Sequence, residues 1–145
     1  MVVAGDSAVV VRDRLHAGLL AYSGLAGVGY WVQWFTDESA RTADDPAYLE
    51  HNRSFVLADA YLAGAALLAA RQLWKGHPSA VPLGVATGSA MTFLGLLDLL
   101  YDLQHGTFSD RTSAARLEAS IVGSALVLGP ATMVRLWKVR ARLAA

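Results

Sequence analysis

Four apolar stretches dominate the chain, and each is about as long as a bilayer is thick. They are Leu15–Phe35, Phe55–Trp74, Leu83–Leu103 and Ala115–Trp137. A helix rises about 1.5 Å per residue, so roughly 20 residues cross a hydrocarbon core of about 30 Å. None of the four shows the charged face that a surface helix of a soluble bundle needs. Polar, Gly- and Pro-containing connections separate them. The pattern predicts an all-α integral membrane protein, a four-transmembrane-helix antiparallel bundle forming one domain over 1–145, with spans at about 15–35, 55–74, 83–103 and 115–137. The first stretch follows Arg12, Asp13 and Arg14 and lacks a convincing cleavage site, so it reads as a retained span and not a signal peptide. Pro46, Pro78 and Pro82 are expected in connections, and Pro130, after Gly129, is expected to kink the fourth span.

Composition supports the membrane reading. Of 145 residues, 54% are hydrophobic and 17% charged, against about 25% charged in a typical soluble domain. The formal net charge is zero, which gives nucleic acid nothing to bind. Absence of cysteine excludes disulfides, thiolate metal sites and thiol redox chemistry. The distribution of charge sets a topology. Arg12 and Arg14, then Arg71 and Lys75, then Arg135, Lys138, Arg140 and Arg142 flank one set of span ends. The first connection, "TDESARTADDPAYLEHNRS", is acidic, and the third, "QHGTFSDRTSAARLE", is nearly balanced. Positive charge marks the cytoplasmic side, so the expected location is the cell membrane, multi-pass, with both termini cytoplasmic. Trp31 and Trp34 are expected at the outer interface, and Trp74 and Trp137 at the inner one.

Small residues show which faces meet, because close backbone approach drives helix association in lipid. Gly88, Thr92, Gly95, Asp98, Asp102 and His105 recur at steps of three or four and share a face. Asp59, Ala63, Ala66 and Ala70 do the same in the second span, and Glu118, Val122, Ala125 and Gly129 in the fourth. Each acid thus sits on the small-residue face of its helix. The predicted topology puts all of them in the outer part of the bundle. The aromatic residues Tyr30, Trp31, Tyr61 and Tyr101 are nearby in depth.

Acids within a span are costly, from about 2.5 kcal/mol upward at the bilayer centre, and mark function by default. Carboxyls crowded in low dielectric do not all ionise, which leaves a neutral acid beside a carboxylate. That pair suits general acid–base work. The leading expectation is a pocket for an isoprenoid-like hydrophobic small molecule. Asp59, Asp98 and Asp102 would act as catalytic acids in isomerisation or cyclisation. Tyr30, Trp31, Tyr61, Tyr101 and Glu118 would line the pocket, the aromatic faces sheltering a cation. The alternatives are a proton- or cation-coupled small transporter, for which exposed small residues permit a homodimer, and a non-enzymatic accessory subunit. Asp98, Asp102 and His105 also have a spacing at which a hard metal ion is conceivable, but phosphate-binding cations and further acids are lacking on that side, so neither a metal nor a cofactor is expected. The chain carries no P-loop, GxSxG or HExxH. The expected partners are the bilayer and the hydrophobic molecule.

Overall fold

A computed structural model describes residues 4–144, with side chains from Val10 onward. The chain forms four long helices: α1 (Ala4–Thr36), α2 (Pro46–Trp74), α3 (Ala80–His105) and α4 (Ser113–Ala144). Single 3-10 turns at Glu38–Ala40 and Thr107–Ser109 shape the first and third connections. The described residues contain no strand.

Local chemistry explains the boundaries. Asp45 caps α2, its carboxylate accepting the Tyr48 N–H at 3.1 Å, and Pro46 occupies the first helical position, where no N–H is needed. Pro82 also lies in a first turn, that of α3, and not in the connection as expected. The Thr112 hydroxyl accepts the Ala115 N–H at 3.2 Å at the start of α4. Gly106, at φ 73°, ends α3 in the left-handed region, and its N–H closes on the Asp102 carbonyl. α4 continues through Pro130 as one helix.

α2, α3 and α4 are each long and apolar enough to cross a membrane. α1 is just as long but is not among them. Its His16, Gln33, Tyr30, Trp31 and repeated glycines dilute its apolar character.

Consecutive helices run antiparallel and pack side by side. α3 and α4 meet through glycine. A Cβ at Gly88 would stand 2.6 Å from the Gly129 carbonyl oxygen, and one at Gly95 would stand 3.1 Å from Ala125. On the other side, Gly24 of α1 lies against the Ala63 carbonyl and Leu67 of α2. Such close approaches need small residues on the meeting faces. Ala17, Leu73, Ala80, Leu136 and Leu143 form a core at the end carrying both termini. Leu20, Ala66, Ala69, Ala70 and Met91 continue it to mid-height.

Among the described residues, α1 and α4 are joined at that end, where polar contacts add to the shared core. Asp13 is buried and holds both Arg135, at 2.5 Å, and Arg142. One turn further on, His16 Nε2 lies 2.9 Å from Thr132 Oγ1. The Thr132 hydroxyl proton already goes to the Leu128 carbonyl at 2.7 Å. His16 Nε2–H is therefore the donor, which fixes its ring. Above this ladder the two helices part.

Candidate functional site

A cleft of about 1130 Å³ occupies the space left between α1 and α4. Its back wall is α2 and α3, through Ala63, Ala66, Met91, Leu94 and Gly95. Its lips are exposed side chains: Leu19 and Tyr22 of α1, Ile121 and Val127 of α4. The cleft therefore opens sideways, between the two helices. His16 and Ala131 line its lower end, beside the polar ladder. Small residues make the room: Gly27 and Gly29 on α1 and Gly123 on α4 line it with nothing within 4 Å of a would-be Cβ.

The far end of the cleft is acidic. Asp59 from α2, Asp98 from α3 and Glu118 from α4 all line it. All three are partly buried. Asp98 is within electrostatic reach of Asp59 and Asp102, and Glu118 of Asp102 and Asp98. Asp59 is oriented by Trp31, whose indole N–H donates to its Oδ2 at 2.9 Å. An indole nitrogen only donates, so this contact occupies one carboxyl oxygen and fixes the side chain. The Asp98 side chain makes no hydrogen bond among the described residues. Glu118 lies beside Thr42 of the first connection. Trp31 itself is packed edge-on against Tyr30, with ring centroids 5.5 Å apart, and against Trp34 at 5.4 Å. Tyr30 and Trp31 both face the cleft.

Helix phase sets Asp59, Asp98 and Glu118 along the cleft, and three further lining residues, Asn52, Phe55 and His16, are less legible in the sequence. Asn52 and Phe55 line the acidic end. They stand at helical steps of three and four on the way to Asp59, so the signal was present in the periodicity. His16 lay too close to the N-terminal charges to suggest a place in the cleft.

Three other residues lie elsewhere. Tyr61 is 65% exposed and does not line the cleft. Two residues beyond Asp59, it faces nearly the opposite side of α2. Tyr101 also lies outside the cleft. It is sandwiched between His51, at 3.9 Å and 8° between ring planes, and His105, at 4.0 Å and 21°. Asp102 is buried at 1% exposure but lies beside the cleft, not in its wall. Neither of its oxygens has a hydrogen-bond partner among the described residues, although Thr107, His51 and His105 are its neighbours.

The metal arrangement of Asp98, Asp102 and His105 does not form. Asp98 faces the cleft, Asp102 is buried, and His105 is exposed with Nδ1 on the Tyr101 carbonyl at 2.8 Å. Among the described residues no group of three or more His, Asp or Glu is arranged to hold a metal ion. Trp34 also departs from expectation. It is fully buried beneath the first connection, with Arg41 over its ring at 5.0 Å, instead of sitting at a lipid interface. Trp74 and Trp137 are exposed, each beneath an arginine: Arg14 at 5.4 Å and Arg140 at 4.3 Å.

No family model, curated protein or solved structure matches this chain.

Proposed function

We propose that this chain is a four-span membrane protein that takes a hydrophobic small molecule sideways from the bilayer and acts on one end of it with carboxylic acids. The observation that carries the proposal is the cleft itself: a volume of about 1130 Å³ with three carboxyls, from three helices, gathered at one end. Apolar clefts with a few convergent polar groups are the usual form of a small-molecule site.

The surroundings support a membrane setting. Large apolar side chains are exposed on every helix, among them Leu25, Val32, Leu57, Phe93, Leu100 and Val127. Such continuous apolar surface is not left facing water in a soluble monomer. α1 then crosses the bilayer as the fourth helix, its polar residues turned toward the cleft. The basic ends of the helices face the cytoplasm, and the acidic end of the cleft faces outward.

Division of labour follows from the hydrogen bonds. Asp59 is held by Trp31 and orients the site. Asp98 is free of such a contact and points into the cleft, so it is the group placed to give or take a proton. Glu118 is positioned as its partner. The rings of Tyr30 and Trp31 flank the place where positive charge would develop, as cation–π stabilisation requires. Isomerisation or cyclisation of an isoprenoid-like alkene needs this set: protonation at one carbon, an aromatic shelter, and a base to remove a proton from another.

Extraction of the gently purified protein tests the reading. Wild type is expected to release a copurified hydrophobic molecule. After incubation of the complex in D₂O, that molecule should carry deuterium on carbon. Asp98→Asn should retain the molecule and lower deuterium uptake by about 10²-fold or more, the range general acid–base groups supply. Release of no hydrophobic molecule from wild type would overturn the proposed function. Equal deuterium uptake by Asp98→Asn would remove Asp98 from the chemistry.

A further inference from the structure

We infer that the ligand of this cleft carries a phosphate group, held by a basic pocket at the cytoplasmic foot of the α1–α4 seam. The inference rests on the proposed function and adds the chemical class of the ligand's other end.

A second, smaller hollow of about 400 Å³ lies between Arg12 of α1 and Arg135 and Lys138 of α4, floored by Val134 and Val139. Ala131 lines both this hollow and the large cleft. The two are therefore consecutive stretches of one seam. The polar ladder of Asp13, Arg135, His16 and Thr132 stands at their junction.

Among the described side chains, charge at this foot is strongly unbalanced. Asp13 is the one acid among the described side chains there, and it already holds two guanidinium groups. Arg12 and Lys138 are exposed and form no ion pair among the described residues. Arg135 lines the hollow and keeps a buried Nε with no hydrogen-bond partner among the described residues. A donor left unpaired in a buried position costs free energy until something accepts from it. A phosphate offers several anionic acceptor oxygens, which suits one ammonium point charge and two planar guanidiniums together. A carboxylate offers fewer, and a neutral headgroup gains nothing from the charge.

The geometry sets the rest of the molecule. Between Ala131 and Glu118, α4 rises about 20 Å. That exceeds the hydrocarbon depth of one leaflet, about 15 Å. A phosphate seated at Arg12 and Lys138 therefore has room for a long apolar chain along the cleft, its distal end at Asp98 and Glu118. Asp98 would act on the end of the chain remote from the phosphate. The phosphate anchors the molecule at the cytoplasmic surface, where anionic lipids also lie.

Binding of matched probes to the full chain in phosphatidylcholine nanodiscs tests this. Hexadecyl phosphate and hexadecanol share a chain and differ in the head. Wild type should bind the phosphate at least about tenfold more tightly than the alcohol. The double variant Arg12→Ala, Lys138→Ala should lose about ten- to thirtyfold for the phosphate, at the usual weight of two basic residues near a membrane surface. It should bind hexadecanol as wild type does. Both substituted residues are exposed, and an unchanged melting temperature confirms the fold of the variant. Equal affinity for phosphate and alcohol in wild type, or undiminished phosphate binding by the variant, would overturn the inference. Hexadecanol binding reads the cleft alone: if it binds while the head preference is missing, the cleft reading stands and the phosphate inference fails. Phosphatidylglycerol then separates two sources of the same chemistry. Competition with hexadecyl phosphate assigns the pocket to a bilayer lipid, and no competition assigns it to a phosphorylated hydrophobic substrate.

Discussion

Asp13→Asn is expected to lower the stability of the detergent-solubilised protein by about 3 kcal/mol, the lower part of the range for breaking a buried ion pair. At this chain length that is a fall in melting temperature of roughly ten degrees. Asp13 has a side chain only 7% exposed and binds Arg135, whose side chain is 18% exposed. Removing the carboxylate leaves that guanidinium buried without its counter-charge. Arg142 is 39% exposed and adds little, because solvent screens it. The effect is also specific in position. The Asp13 contacts and the His16–Thr132 bond are what join α1 to α4 below the cleft, so their loss frees two helices to separate. Pairing the substitution with Arg135→Met tests the cause. Neutral partners of similar volume should recover most of the lost stability, since the penalty belongs to the uncompensated charge. A melting temperature unchanged by Asp13→Asn would show that α1 is held by α2 alone.

Gly88→Ala is expected to destabilise by about 1–3 kcal/mol, the cost of overpacking a filled contact. The added methyl would stand 2.6 Å from the Gly129 carbonyl oxygen and 2.8 Å from Met133 Cγ. The first of these is backbone and cannot swing aside, so α3 and α4 must part. Gly123→Ala supplies the contrast on the same helix pair. Nothing lies within 4 Å of its Cβ position, and alanine favours the helix by up to about 1 kcal/mol. Thermal unfolding in detergent should therefore fall for the first variant and hold or rise for the second. The opposite order would mean that α3 and α4 do not meet through Gly88.

How far the sequence speaks for this molecule follows from the range of each interaction. Helix existence was legible because length and apolar runs are local. So was the acid-bearing face of α2, α3 and α4, because small residues at steps of three and four mark it directly. Asp59, Asp98 and Glu118 reach the cleft by that route. Depth alone makes Tyr61 a neighbour of the acids whereas helix phase turns it away, and Asp102 shares the stripe of Asp98 yet sits one turn higher, behind the cleft wall. Trp34 looked like an interfacial aromatic because nothing local reveals that the first connection folds over it. The polar ladder was illegible for another reason. Asp13 stands among arginines and reads as ordinary flanking charge, whereas its partners lie more than a hundred residues away. The cleft was legible only as a convergence of acids. Its volume exists because α1 and α4 touch at one end and not along their length, and no periodicity within either helix states that.

Filling the cleft tests the central claim most directly. Gly27 and Gly123 line it from opposite lips, each with open space at its Cβ. The double variant Gly27→Phe, Gly123→Phe occupies the cavity without touching an acid or the ladder. Native mass spectrometry of the detergent-purified protein should show wild type with a bound hydrophobic molecule and the filled variant bare, at equal or higher melting temperature. The same adduct on both proteins, or on neither, would contradict a ligand held in this cleft.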